Sequence, residues 1–146
     1  NANTTALLVR ELGVADVAVD VVVRADTCTG VCNFGIVTQL RDTTGAMCDA
    51  AQDNASASIN IHDLVDNAAG NPSQQAAFLP FTSNNAKLRL RATRNGESLT
   101  CSGTFEAQTS GTTERVGLGG GREVGLRFRR LSGAIDAVAI YELTAP

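Results

Sequence analysis

The chain is expected to fold as an all-β, antiparallel β-sandwich, with residues 1–146 forming a single domain. Three observations predict this. Apolar residues alternate with polar ones in several short stretches, turn residues separate those stretches at fairly even spacing, and Thr, Ser, Asn, Ala, Gly and Val dominate the composition. A domain of this length buries roughly 70% of its unfolded surface, enough for a self-sufficient core.

The elements follow in order. Asp16–Arg24 is the clearest strand, with Val17, Val19, Val21 and Val23 on one face and Asp20 and Arg24 on the other. Residues 25–33 are rich in breakers and read as a turn, after which Phe34–Arg41 is a second strand. The two strands read as a hairpin clipped at its tip by Cys28 and Cys32. Asp42–Gly45 is a turn, Ala46–Ala51 a short strand carrying Cys48, and Ala57–His62 another strand. Asp63–Asn85 reads as a long surface loop anchored by Phe78, Leu79 and Phe81 around Pro80, with room for one helical turn at Ala76–Leu79. Alternation returns at Lys87–Thr93, where Leu88, Leu90 and Ala92 face in and Lys87, Arg89 and Arg91 face out. Asn95-Gly96 predicts a type I′ hairpin leading to Ser98–Phe105, which carries Cys101. Glu123–Arg129 and Ala134–Leu143 complete the strands. There is no internal repeat and no linker that would divide the chain.

Bulk properties narrow the function classes. Hydrophobic residues at 43% and charged residues at 18% indicate a globular chain rather than a disordered one. A net charge of -3 argues against a general nucleic-acid affinity. No apolar run approaches the roughly 18 residues that suggest a membrane span. Four cysteines in a small, Lys-poor chain suggest an oxidising, extracytoplasmic setting: secreted, cell-surface or periplasmic. The chain opens on Asn1 rather than Met, so the expectation is of an upstream segment removed or not included. Four cysteines permit three connectivities; the preferred pairing is Cys28–Cys32 with Cys48–Cys101.

The run Leu131-Ser-Gly-Ala-Ile-Asp-Ala-Val-Ala-Ile-Tyr141 resembles the closing strand of the laminin-G and concanavalin A-like jelly rolls. The stretch from Leu88 through Asn95-Gly96 to Cys101, followed by Glu123-Val-Gly-Leu-Arg127, is similar in order and spacing to the second half of that fold. The resemblance implies a jelly-roll sandwich. It leaves function open, because the fold hosts lectins, hydrolases, adhesion modules and spacers.

Candidate chemistry is sparse. One Cys-x-x-x-Cys, two scattered cysteines and a distant His62 make a poor zinc pattern. His62 is the sole histidine, and no Gly-x-Ser-x-Gly elbow accompanies it, so it reads as a surface or structural residue. The Glu-x-Asp-x-x-Glu strand of the fold's glycan hydrolases has no counterpart here, and the chain is expected not to be an enzyme. The fold's relatives often hold calcium at a sheet rim. Asp63 and Asp66, with Asn67, are the candidate ligands, while Asp49, Asp53 and Asn54 form a second acidic rim. The competing explanation is that Asp and Asn occupy turns because they bond their own backbone. Aromatics are only 4%, with no Trp, so a lectin would have to bind through polar loops. Asn3-Thr-Thr and Asn54-Ala-Ser are glycosylation sequons.

Arg89 and Arg91, with Arg127 and Arg129, are expected on neighbouring strands, as one basic face. The function expected from these observations is a non-catalytic accessory or structural subunit. It would dock on a protein partner in a larger assembly through that face, or through Phe78 and Phe81 in the long loop. The alternative is a carbohydrate-binding, lectin-like module that takes a glycan, with calcium if Asp63 and Asp66 hold it and otherwise with no cofactor.

Overall fold

The computed structural model describes residues 5–12, 16–81, 87–115 and 121–143. Among these residues ten strands run in chain order: β1 (Thr5–Glu11), β2 (Val17–Arg41), β3 (Thr44–Gln52), β4 (Ala57–Val65), β5 (Ala68–Ala69), β6 (Gln74–Phe78), β7 (Lys87–Asn95), β8 (Ser98–Phe105), β9 (Gln108–Arg115) and β10 (Glu123–Glu142). All pairings are antiparallel.

The central feature is a two-stranded ribbon. β2 and β10 pair along nearly their whole lengths and belong to both layers of the sandwich. The second half of β2 pairs with β3 and its first half with β7. One layer is therefore β1, the first half of β10, the second half of β2, then β3, β4 and β6. The other is the second half of β10, the first half of β2, then β7, β8 and β9. The ribbon bends around residues 25–32 of β2 and 130–133 of β10, where the register slips. Gly133 is required at this bend: a Cβ there would sit 1.9 Å from the Arg24 carbonyl oxygen.

This arrangement corrects the expected hairpin of residues 16–41. Those residues form one bent strand, and the Cys28–Cys32 disulfide clips the bend rather than a hairpin tip. The local signals were the same for both outcomes. The long partner strand β10 decides between them by continuing the ladder through the break. The expected Asp63–Asn85 loop is also partly ordered as strand. β4 reaches Val65, Asp66 and Asn67 take positive φ in a two-residue turn to β5, and β6 occupies the segment expected as a helical turn. Residues 82–85 of that loop lie outside the described residues. The β7–β8 turn sits one residue later than expected: Asn95 pairs with Ser98, and Gly96 (φ 55) and Glu97 make the turn.

Alternating side chains fill the space between the layers. Val17, Val19, Val21 and Val23 meet Leu88, Leu90 and Ala92 from one side, and Phe34, Ile36, Ile59 and Ile61 from the other. Phe34 packs on Phe128 with ring centroids 4.9 Å apart. Phe78 and Phe81, expected on a docking surface, are 6% and 0% exposed and belong to this core. β6 carries Phe78 inward opposite Ala57, so an aromatic beside Pro80 became a buried anchor. The Cys48–Cys101 disulfide ties β3 to β8, one layer to the other. A smaller cluster of Val37, Leu40, Met47 and Leu64 is also fully buried.

Candidate functional site

The site lies on the face of the first layer that points away from the core. Period-two alternation sends Phe34, Cys48, Ala50, Ile59 and Ile61 inward, so Asn33, Asp49, Asn60 and His62 project from the opposite face. The ladder sets Asp49 directly across from Asn60.

Asp49 is fully buried and receives three donors. Asn33 Nδ2 donates to Oδ2 at 2.8 Å, Asn60 Nδ2 donates to Oδ1 at 2.8 Å, and His62 Nε2 lies 3.1 Å from the same Oδ1. His62 Nδ1 is 3.0 Å from the Gly70 carbonyl oxygen. Both ring nitrogens thus face acceptors, and only the doubly protonated imidazolium satisfies both. Burial alone pushes the His62 pKa down. The hydrogen bond and charge of Asp49, with the Gly70 carbonyl, outweigh that burial against the opposing charge of Arg127, and the pKa stands above the ordinary histidine value of 6.5.

Arg127, 3% exposed, closes the network. Its Nη1 donates to Asn33 Oδ1 at 3.3 Å, its Nε to Asn67 Oδ1 at 3.4 Å and its Nη2 to the Asn67 carbonyl at 3.2 Å. Burial pushes its guanidinium below the usual range, Arg129 pushes the same way, and Asp49 opposes both. The β4–β5 turn is therefore pinned to β10 through Asn67.

A groove of about 270 Å³ opens above this network, lined among others by Ala51, Asp53, Ser58, Asn60, His62 and Arg129. Ala51 keeps its floor low. At the rim, Asp53 Oδ1 accepts the Ala55 and Ser56 backbone N–H groups at 2.8 and 2.7 Å, which hold its carboxyl below the usual range. The described lining contains no Phe, Tyr or Trp.

The expected basic face does not form. Arg89 and Arg91 lie on β7 in the second layer, where both clasp Asp20: Arg89 Nη2 at 3.0 Å and Arg91 Nη1 at 3.3 Å from Oδ2. Arg127 and Arg129 project from the first layer. The two stripes fall on different layers because β2 pairs with β7 along its first half and with this part of β10 along its second. Asp63 accepts the Gly70 N–H on its backbone carbonyl at 3.1 Å, and Asp66 sits in the β4–β5 turn. Among the described residues no three His, Cys, Asp or Glu side chains gather where a metal would need them. Sequence reasoning missed Asn33, Asn60 and the role of Asp49. The available signal was Asn60-Ile-His62, two polar residues at strand period facing a single aspartate in an otherwise apolar strand.

The His62 geometry fixes a pH dependence. A pKa raised in the folded state contributes stability that is complete below the unfolded value of 6.5 and disappears as pH rises through the folded value. Asp53 and Asp136, both lowered from 3.8, contribute stability present above that value and lost as pH falls through their folded values. Urea unfolding is therefore expected to show greatest stability between about pH 4 and 6.5, with a decline above it. His62→Gln should remove the alkaline decline; an unchanged decline would refute the imidazolium assignment.

No family model matches this chain, and no curated protein matches it. Solved structures do. The legume lectin-like domain of Entamoeba histolytica superposes with a TM-score of 0.64 at 11% identity, covering 99% of this chain and 81% of that one. Galectin-Ib of Xenopus laevis gives 0.62 at 9% identity over 96% and 100%. The carbohydrate-binding module CBM66 of Bacillus subtilis gives 0.62 at 11% identity over 97% and 84%. Identities this low carry the fold alone: the chain is a concanavalin A-like jelly roll, built like these lectin and carbohydrate-binding domains.

Proposed function

We propose that this chain is a non-catalytic carbohydrate-binding module that works outside the cytoplasm and seats a glycan in the groove above Asp49. The observation that carries this reading is the buried polar network under the groove. A sandwich does not need a buried carboxylate on its outer face, because sequestering an ion costs several kcal/mol that apolar packing would avoid. What the network supplies is rigidity: Asp49 holds Asn33, Asn60 and His62 in place, so a ligand meets prearranged groups.

With no Phe, Tyr or Trp in the described lining, the sugar would be held by hydrogen bonds rather than stacking. The lectin and carbohydrate-binding neighbours support the same reading. The two disulfides support an oxidising compartment. Docking as an accessory subunit has less support, since Phe78 and Phe81 are core and Arg89 and Arg91 are engaged by Asp20. The non-catalytic part rests on His62 and Asp49. Both histidine nitrogens face acceptors and the carboxylate already accepts three bonds, so neither group is placed to move a proton.

The test is a glycan array followed by titration of the best ligand. Ala51→Phe fills the groove and keeps every hydrogen-bonding group of the network present, and should weaken binding by about tenfold or more in protein whose melting transition shows that it is folded. Absence of binding across the array, or unchanged affinity in Ala51→Phe, would overturn the reading.

A further inference from the structure

The groove presents a specific pattern of uncommitted polar groups. Asn60 is 2% exposed, and its Oδ1 is buried without a hydrogen-bond partner. The amide orientation is set by Asp49: a carboxylate must receive the Nδ2 donor, so the oxygen faces the other way. A buried acceptor left unpaired is costly, and a small shift of the Asn60 amide toward the groove it lines would let a ligand hydroxyl satisfy it. The Ser58 hydroxyl and the Arg129 guanidinium line the same groove, and neither makes a side-chain hydrogen bond or ion pair among the described residues.

The ladder relates these groups. Arg129 pairs with Asn33, Asn33 with Ala51 and Ala51 with Ser58, in one row across four strands. Asn60 lies two residues along from Ser58, on the same face. Three strand spacings separate the β10 and β4 backbones, roughly 14 Å. Arg129 is half-exposed and lines the groove, so its long side chain shortens that distance toward the span of a sugar unit.

The charges decide what kind of sugar. Asp49 is consumed by its three donors, Asp53 holds its turn through Oδ1, and Arg127 is consumed by Asn33 and Asn67. Arg129 therefore carries a cationic fork facing the groove, next to a second guanidinium on the same strand face. That fork matches a planar carboxylate with two parallel hydrogen bonds. An acceptor at one end and a guanidinium at the other call for a hydroxyl donor and a carboxylate on one ring. We infer that the groove takes a uronic acid unit, with a ring hydroxyl donated to Asn60 Oδ1 and the carboxylate on Arg129. This inference rests on the groove being the glycan site.

The test is calorimetric titration with tetragalacturonate, tetraglucuronate and their methyl esters, which keep the ring and remove the charge. At least one free acid is expected to bind about 10- to 100-fold tighter than its ester, with affinity falling as salt rises. Arg129→Gln should abolish that difference while leaving the melting temperature unchanged. Equal binding of acid and ester, or a preference that survives in Arg129→Gln, would overturn the uronate assignment and leave the groove a glycan site. Array binding confined to neutral glycans would do the same, provided Ala51→Phe abolishes it. Absence of binding to any glycan, acidic or neutral, would remove both readings together.

Discussion

Asp49→Ala is expected to cost about 3–5 kcal/mol of folding stability, among the largest effects of any single substitution in this chain. The cost comes from what the carboxylate leaves behind. Asn33 Nδ2, Asn60 Nδ2 and His62 Nε2 would all lose their acceptor inside a site that admits little water. His62 and Arg127, both buried, would lose their compensating negative charge. Histidine can escape by releasing its proton, so the loss should be partly relieved above pH 6.5, where the wild type itself is weakened. Asp49→Asn keeps the shape and one acceptor oxygen and should cost less than Asp49→Ala. Urea unfolding of both variants at pH 6 and pH 8 checks this. A cost below about 1 kcal/mol for Asp49→Ala at pH 6 would show that the network adds nothing net. A double-mutant cycle with His62→Gln isolates the pair.

Much of the core was legible in the sequence because a strand with one buried face writes period two into the chain. Val17, Val19, Val21 and Val23, then Leu88, Leu90 and Ala92, were each read as sharing one face, and each set is buried in the core. What remained illegible depended on partners distant in sequence. Cys28, Gly30 and Cys32 are turn residues by any local rule. They become a bend in a continuous strand because Leu131 and Ser132 pair with Cys28 and Thr27 across the break. The four arginines were grouped by their outward alternation, which is correct strand by strand. Alternation does not reveal which layer a strand joins, and here β7 and the first half of β10 join different layers.

The site was hidden for a related reason. Each component has an ordinary local explanation: a lone histidine near a strand end, an asparagine in a strand, an aspartate near a turn. Their meaning arises from register, which sets Asp49 opposite Asn60 and brings Arg127 over Asn33. The resemblance to jelly rolls gave the fold but not this face, since superposition at 9–11% identity aligns backbones rather than side-chain chemistry.

Removing the Cys48–Cys101 bridge by substituting alanine at both positions is expected to destabilise the protein by about 4 kcal/mol. The bridge closes a sequence separation of 53, so its loss releases a large loop in the unfolded chain. Both cysteines are fully buried between the layers, and the missing sulfurs leave a void that adds to the entropic cost. The Cys28–Cys32 bridge closes a separation of only 4, and its removal should cost about half as much, roughly 2 kcal/mol. Paired alanine variants compared by urea unfolding test the order; equal or reversed costs would refute the loop-entropy account. The size of the first effect bears on where the protein can work. A domain of this kind has about 5–15 kcal/mol of total stability, so a loss of about 4 removes a large share of it. Reduction by a cytoplasmic thiol pool would do to the wild type what the alanine variant does by substitution, and sensitivity to reductant is expected to track the Cys48–Cys101 bridge rather than the Cys28–Cys32 clip.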